Sequence, residues 1–140
     1  MDLLKEYGIT GKSNKMVLKD ETFAIIGTCM EVHKTLGRSF SEKVYQDALE
    51  QEFKLRGIPY EREKHILINY KGIMLAHDFF ADFICYDKVI VELKAVSELD
   101  NENREQVINY LHAADMLVGL LINFRTASLT HERFVNFAYS

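Results

Sequence analysis

The chain has 140 residues and a formal net charge of −4, with 48% hydrophobic residues and one proline. Such a length fits one domain, since about 150 residues is the usual size and a domain of that size buries ~70% of the surface its unfolded chain exposes, without a disulfide or metal staple. The surplus of 21 Asp and Glu over 17 Lys and Arg excludes a protein that coats duplex DNA through bulk positive charge, because neutralising phosphates takes clustered cations.

Cys29 and Cys85 form no CxxC pair and cannot build the framework of a disulfide-rich secreted domain; reduced, partly buried thiols are expected. The opening MDLLKEYGITGKSNK lacks the basic segment and apolar run of a secretory signal. The longest apolar stretch, residues 116–122, is far short of the ~20 residues of a membrane helix. These readings predict a cytoplasmic protein with no membrane partner.

In chain order, residues 1–20 are expected as an N-terminal extension, because Gly8, Gly11, Ser13 and Asn14 interrupt any apolar period. A single domain is then expected over 21–140. Phe23, Ile26, Cys29, Met30, Val32, His33 and Leu36 recur at helical spacing and predict a helix over 21–36 that ends at Gly37. Val44, Tyr45, Ala48, Leu49 and Phe53 predict a second helix over 41–56, stopped by Gly57. Strands are expected over 61–70, 73–86 and 89–96, then a helix over 102–114, a buried strand over 116–124 and an edge strand over 131–139. The order α-α-β-β-β-α-β describes an α/β sandwich with a central mixed β-sheet flanked by helices.

The chemistry gathers on the second hairpin. Phe79, Ala81, Phe83 and Cys85, then Val89, Val91, Leu93 and Ala95, are apolar or small, while the alternate positions carry Asp82, Glu92 and Lys94. Alternation across a strand predicts that these odd positions share one core, which requires paired residues to sum to an even number. A three-residue loop over 86–88 satisfies that parity and sets Asp82 opposite Glu92. Two carboxylates so placed repel unless a cation sits between them, and their hard oxygens suit Mg²⁺ or Mn²⁺. The Leu93 carbonyl is a third candidate ligand, and Lys94 could orient and activate a water. The competing reading is a salt-bridged strand face; Ile90 and Val96 beside the charges favour a covered cleft.

Asp82…Glu92-Leu93-Lys94, followed by a helix and a strand, resembles the PD-(D/E)xK nuclease superfamily, with its restriction-endonuclease-like core. HKTLGRSFSEKVYQDAL, ADFI, VIVELKAV, QVINYL and LLINF, in that order, resemble the GxxExxY protein family over roughly residues 20–137. The resemblance implies that Glu42 helps hold the metal or its water. It also implies that Gln106 and Tyr110, four residues apart on one helical face, contact the substrate backbone as a Q-x-x-x-Y element does in RecB-like nucleases. Ser39 stands where that family has its name-giving glycine, so the loop between the helices is expected to differ. Ser39 to Glu42 also reads as a capping box, which would occupy Glu42 with the main chain.

Cys29 and His33, one turn apart, read as a core thiol beside a satisfied histidine, with His33 also a candidate companion of Glu42. Asp78 could line the cleft entrance. The expected function is a Mg²⁺- or Mn²⁺-dependent nuclease acting on DNA, aided by a protein partner or a second copy of the chain. The alternatives are a non-catalytic binding or regulatory module of the same fold, acting through a protein or nucleic-acid partner, and a hydrolase of smaller phosphate esters.

Overall fold

The structure, a computed structural model, describes residues 17–137. Two helices, α1 (Lys19–Leu36) and α2 (Glu42–Arg56), precede the strands β1 (Tyr60–Tyr70), β2 (Ile73–Cys85) and β3 (Val89–Lys94). Helix α3 (Asn101–Ala114) then leads to β4 (Val118–Asn123) and β5 (Thr130–Val135). The five strands form one sheet in the order β1-β2-β3-β4-β5, antiparallel except where β3 lies parallel to β4. A parallel pair needs a crossover, and α3 supplies it. One core joins the α1–α2 layer to the sheet; a second joins α3 to the opposite face. The expected α/β architecture is therefore present. Residues 1–16, most of the expected extension, lie outside the described residues, as do the last residues of the strand expected over 131–139.

Helix α1 buries Thr22, Ile25, Thr28, Cys29 and Val32, whereas Phe23 and Met30, expected on the core side, are exposed. The reason is local: the Thr22 hydroxyl bonds the Leu18 and Lys19 carbonyls and the Thr28 hydroxyl bonds that of Ala24, so both threonines enter the core with their polar groups satisfied. Gly37 ends the helix at φ 79°, a backbone open to glycine, and donates its N–H to the His33 carbonyl.

Tyr45 organises the turn into α2. Its hydroxyl donates to the Gly37 carbonyl (2.6 Å) and accepts from the Phe40 N–H (3.3 Å), while its ring stacks on Phe124 at 4.5 Å. Ser41 is the residue that caps α2, and Glu42 is the first helical residue. The competing capping-box reading of Ser39 to Glu42 is therefore excluded, since Glu42 stands two positions too early to reach back. The reciprocal box belongs to α3, where Asp100 and Asn103 each accept the other's N–H. Ser39 does not adopt positive φ, so replacing the family glycine costs no backbone strain there.

The register of β2 and β3 is the one that parity demands: Phe83 pairs with Val91, Ile84 with Ile90 and Cys85 with Val89 around the loop 86–88. The expectation that Phe79, Ala81, Phe83 and Cys85 share one core is corrected. Phe83 and Cys85 join the α1–α2 core, whereas Ala81 joins the α3 core and the Phe79 ring lies 5.9 Å from that of Tyr110. The change of side falls where Glu63, facing Asp82 between the Arg62–Phe83 and Lys64–Ala81 pairs, adopts φ 51° and interrupts the strand alternation. Strand β3 is shorter than expected because the Asn123 side chain takes both the N–H and the carbonyl of Val96.

Helix α3 closes tightly on β4 at Gly119. A Cβ there would lie 2.7 Å from Val107 Cγ1 and 3.3 Å from Leu111 Cδ1. Gly119→Ala should destabilise the protein by about 1–3 kcal/mol in denaturant titrations, as overpacking does; a variant as stable as wild type would contradict this close approach.

Candidate active site at the fork of two strands

The backbone ladder between β2 and β3 stops at Phe83 and Val91, and carboxylates continue its hydrogen bonding. The Asp82 N–H donates to Glu92 Oε1 (3.2 Å), and the Leu93 N–H donates to Asp82 Oδ2 (2.8 Å). Each carboxylate thus has one oxygen tied to the neighbouring strand and keeps the other, Asp82 Oδ1 or Glu92 Oε2, outside those bonds. Glu92 is only 3% exposed, and Asp82 and Lys94 are half-buried.

Burial is the largest influence on all three acids. It pushes Glu92 well above the ordinary carboxylate range, with the charge of Asp82 adding to the rise and Lys94 opposing it. Asp82 is raised by burial against the hydrogen bond from Leu93 and the charge of Lys94. Glu42, at the surface of α2, is raised by desolvation and then by Asp82, and lowered by Lys94. Glu42, Asp82, Glu92 and Lys94, drawn from three elements, therefore form one electrostatic group. Among the described residues no three His, Cys, Asp or Glu side chains are grouped so as to hold a metal ion. A cation here would take the two paired carboxylates and complete its shell with main-chain or water oxygen.

Gln106 and Tyr110 meet as the helical spacing predicts, with Gln106 Nε2 donating to the Tyr110 hydroxyl (3.2 Å). Burial raises the Tyr110 phenol, and the charges of Glu92 and Asp82 raise it further; Tyr110 belongs to the α3 core with Ala81, the neighbour of Asp82 in the chain. It also lines a groove of about 660 Å³ with Phe79, Ile68 and Asn109. His33 is spent elsewhere: its Nε2 is 3.0 Å from the Thr126 carbonyl and its ring lies near Phe124. Cys29 and Cys85 are buried, and burial pushes the Cys85 thiol up to about 12. Asp78 is exposed on the projecting β1–β2 hairpin, 3.3 Å from His65.

Two contributors escape sequence reasoning. Asn123, fully buried at the end of β4, pairs with Lys94 in the parallel register and bonds Val96 and the Arg125 N–H, fixing the chain just beyond Lys94. A lone amide ending the apolar run VGLLIN is the one signal that points to it. Arg62, bound to Asp47 (2.6 Å), Glu50 (2.8 Å) and Gln46 (3.1 Å), locks α2 and hence Glu42 to β1.

Raising Glu92 has a consequence for stability. Over the interval between its ordinary value of 4.5 and its higher folded value, the folded chain holds a proton that the unfolded chain has released, so stability falls as pH rises. In chelator, Glu92→Gln should therefore melt higher than wild type at about pH 8 and show little gain at about pH 4. A variant less stable than wild type at the higher pH would contradict this electrostatic account.

Among the described residues no helix is long and apolar enough to cross a membrane. No curated protein matches the chain. A family model, that of the PD-(D/E)XK nuclease superfamily, matches residues 19–134, from the first turn of α1 into β5. On that match and the fold around its paired acids, the chain belongs to the PD-(D/E)XK nuclease superfamily.

Proposed function

We propose that this protein hydrolyses DNA phosphodiester bonds with the help of Mg²⁺ or Mn²⁺. The observation that carries the reading is the pair of carboxylates at the β2–β3 fork, Glu92 buried and Asp82 half-buried, each anchored by a main-chain N–H of the opposite strand. Asp82 and Glu92 would hold the cation, with the Leu93 carbonyl as a third ligand; hard oxygens are what such cations take. When bound, the cation supplies Lewis-acid polarisation and charge neutralisation at the phosphoryl oxygens.

The other roles follow from position and chemistry. The Lys94 ammonium, two residues beyond Glu92 on the same strand, orients the attacking water and stabilises it as it loses its proton. Glu42 accepts a hydrogen bond from that water. Gln106 and Tyr110, already bonded to each other, steady the sugar-phosphate backbone. Reaction adds water across one P–O bond, with one fragment keeping the phosphate and the other regaining a hydroxyl. Two buried, unpaired thiols suit a reducing compartment, and we take the cytoplasm as the site of action.

The test is cleavage of end-labelled single- and double-stranded DNA in Mn²⁺. Lys94→Ala should lose activity by about 100-fold or more while still binding Mn²⁺ in calorimetry, whereas Asp82→Asn should lose Mn²⁺ binding as well. Cleavage unchanged in Lys94→Ala would overturn the assignment, and Mn²⁺ binding by wild type without turnover on any nucleic acid would make the chain a binding module instead.

A further inference from the structure

A second pocket, of about 580 Å³, opens beyond the ends of the parallel strands and is walled by Arg38, Ser39, Ser97, Arg125, Thr126 and Ala127. Its lining holds two arginines and three hydroxyl side chains and no carboxylate. The arginines are the informative part. Arg56, Arg62 and Arg104 are each paired with carboxylates, and Arg133 bonds Thr22 and the Val17 carbonyl. Arg38 and Arg125 are exposed and, among the described residues, enter no ion pair, yet they converge on this one pocket.

The walls are tied to the candidate active site and to each other. Ser39 lies three residues before Glu42, and Ser97 three residues after Lys94. The Lys94 carbonyl accepts the Phe124 N–H (2.9 Å), and Asn123 Oδ1 accepts the N–H groups of both Val96 (3.1 Å) and Arg125 (3.2 Å). On the other side, Tyr45 stacks on Phe124 while its hydroxyl holds the Gly37 and Phe40 main chain, and His33 holds Thr126. The loops bearing Arg38, Ser97 and Arg125 are thus fixed relative to Lys94. Crevices outside the carboxyl ends of parallel strands are where open α/β sheets bind ligands, and paired guanidinium forks with hydroxyl donors fit a phosphate.

We propose that this pocket is a phosphate subsite that takes a backbone phosphate of nucleic acid next to the one hydrolysed, with Arg38 and Arg125 as its charged ligands; the inference rests on the nuclease reading above. It explains how an acidic chain holds a polyanion: the contact is local, made by Arg38 and Arg125, which enter no ion pair among the described residues.

The test uses the full chain carrying Lys94→Ala, loaded with Mn²⁺, and a fluorescent oligonucleotide. Adding Arg38→Ala and Arg125→Ala should weaken binding about tenfold or more. It should also shallow the log–log salt slope by about 0.7 for a single strand or about 0.9 for a duplex, leaving Mn²⁺ affinity unchanged. Restoring charge with lysine at both positions should recover the slope but only part of the affinity. Oligonucleotide binding indifferent to both arginines would overturn the subsite and leave the hydrolase reading intact. A second arm titrates wild type with inorganic phosphate and follows the Ser97 and Arg125 amides by NMR. Shifts there without any oligonucleotide binding would overturn both the nucleic-acid ligand and the nuclease reading, and no shifts in the absence of oligonucleotide binding would overturn the subsite altogether.

Discussion

Where β2 and β3 part, the Asp82 and Glu92 side chains accept the main-chain N–H groups that a continuing ladder would have paired. A main-chain N–H of the opposite strand fastens each carboxylate, and this holds the two side by side. Their proximity is therefore built into the backbone, and the surrounding structure serves to keep it. Ile84 and Ile90 form the apolar bed behind them with Val107, Ile108 and Leu111 of α3. Gly119 lets that helix close down, and the parallel β4 carries Asn123 to the point where Lys94 leaves the sheet.

The charge distribution follows from the same arrangement. A net charge of −4 describes the chain but not its working edge. Several cations are spent on neighbouring acids: Lys43 on Glu63, Lys64 on Glu61, Arg62 on Asp47 and Glu50, Arg104 on Glu132. All but the Lys64–Glu61 pair, which lies within β1, fasten one element to another, and paired charges contribute little field at a distance. Lys94 instead ends β3 beside the paired acids, and Arg38 and Arg125 line the pocket beyond the ends of β3 and β4. The result is a local polarity that the overall acidity conceals.

Much of this is readable from the residues because alternation holds on both sides of the loop 86–88. The parity of apolar positions in the second hairpin determined the loop 86–88 and set Asp82 against Glu92, and a four-residue spacing joined Gln106 to Tyr110. What escaped has particular causes. Glu63 adopts a left-handed backbone without being glycine, so nothing in the pattern announced that the strand faces exchange at Asp82. Cys29, Val32, Ile26 and Leu36 hold the expected face of α1, but Phe23 and Met30 yield their places to Thr22 and Thr28, which bond their own helix and so behave as core although composition counts them polar. S-x-x-E fits Ser39 by spacing, yet Tyr45 clamps the turn and the helix begins at Glu42, so the competing capping reading of Glu42 falls away. Asn123 and Arg62 act through partners far away in the chain, which no local pattern records.

The central claim is that the fork of β2 and β3 is a divalent-cation site. A crystal structure of the protein soaked in Mn²⁺, with the ion located by its anomalous signal, tests it most directly. The account predicts one strong peak with an oxygen of Asp82 and an oxygen of Glu92 both within about 2.0–2.6 Å, the range hard cations keep with oxygen ligands. Saturating Mn²⁺ with no peak between the two carboxylates, or with the ion held by other residues, would contradict it.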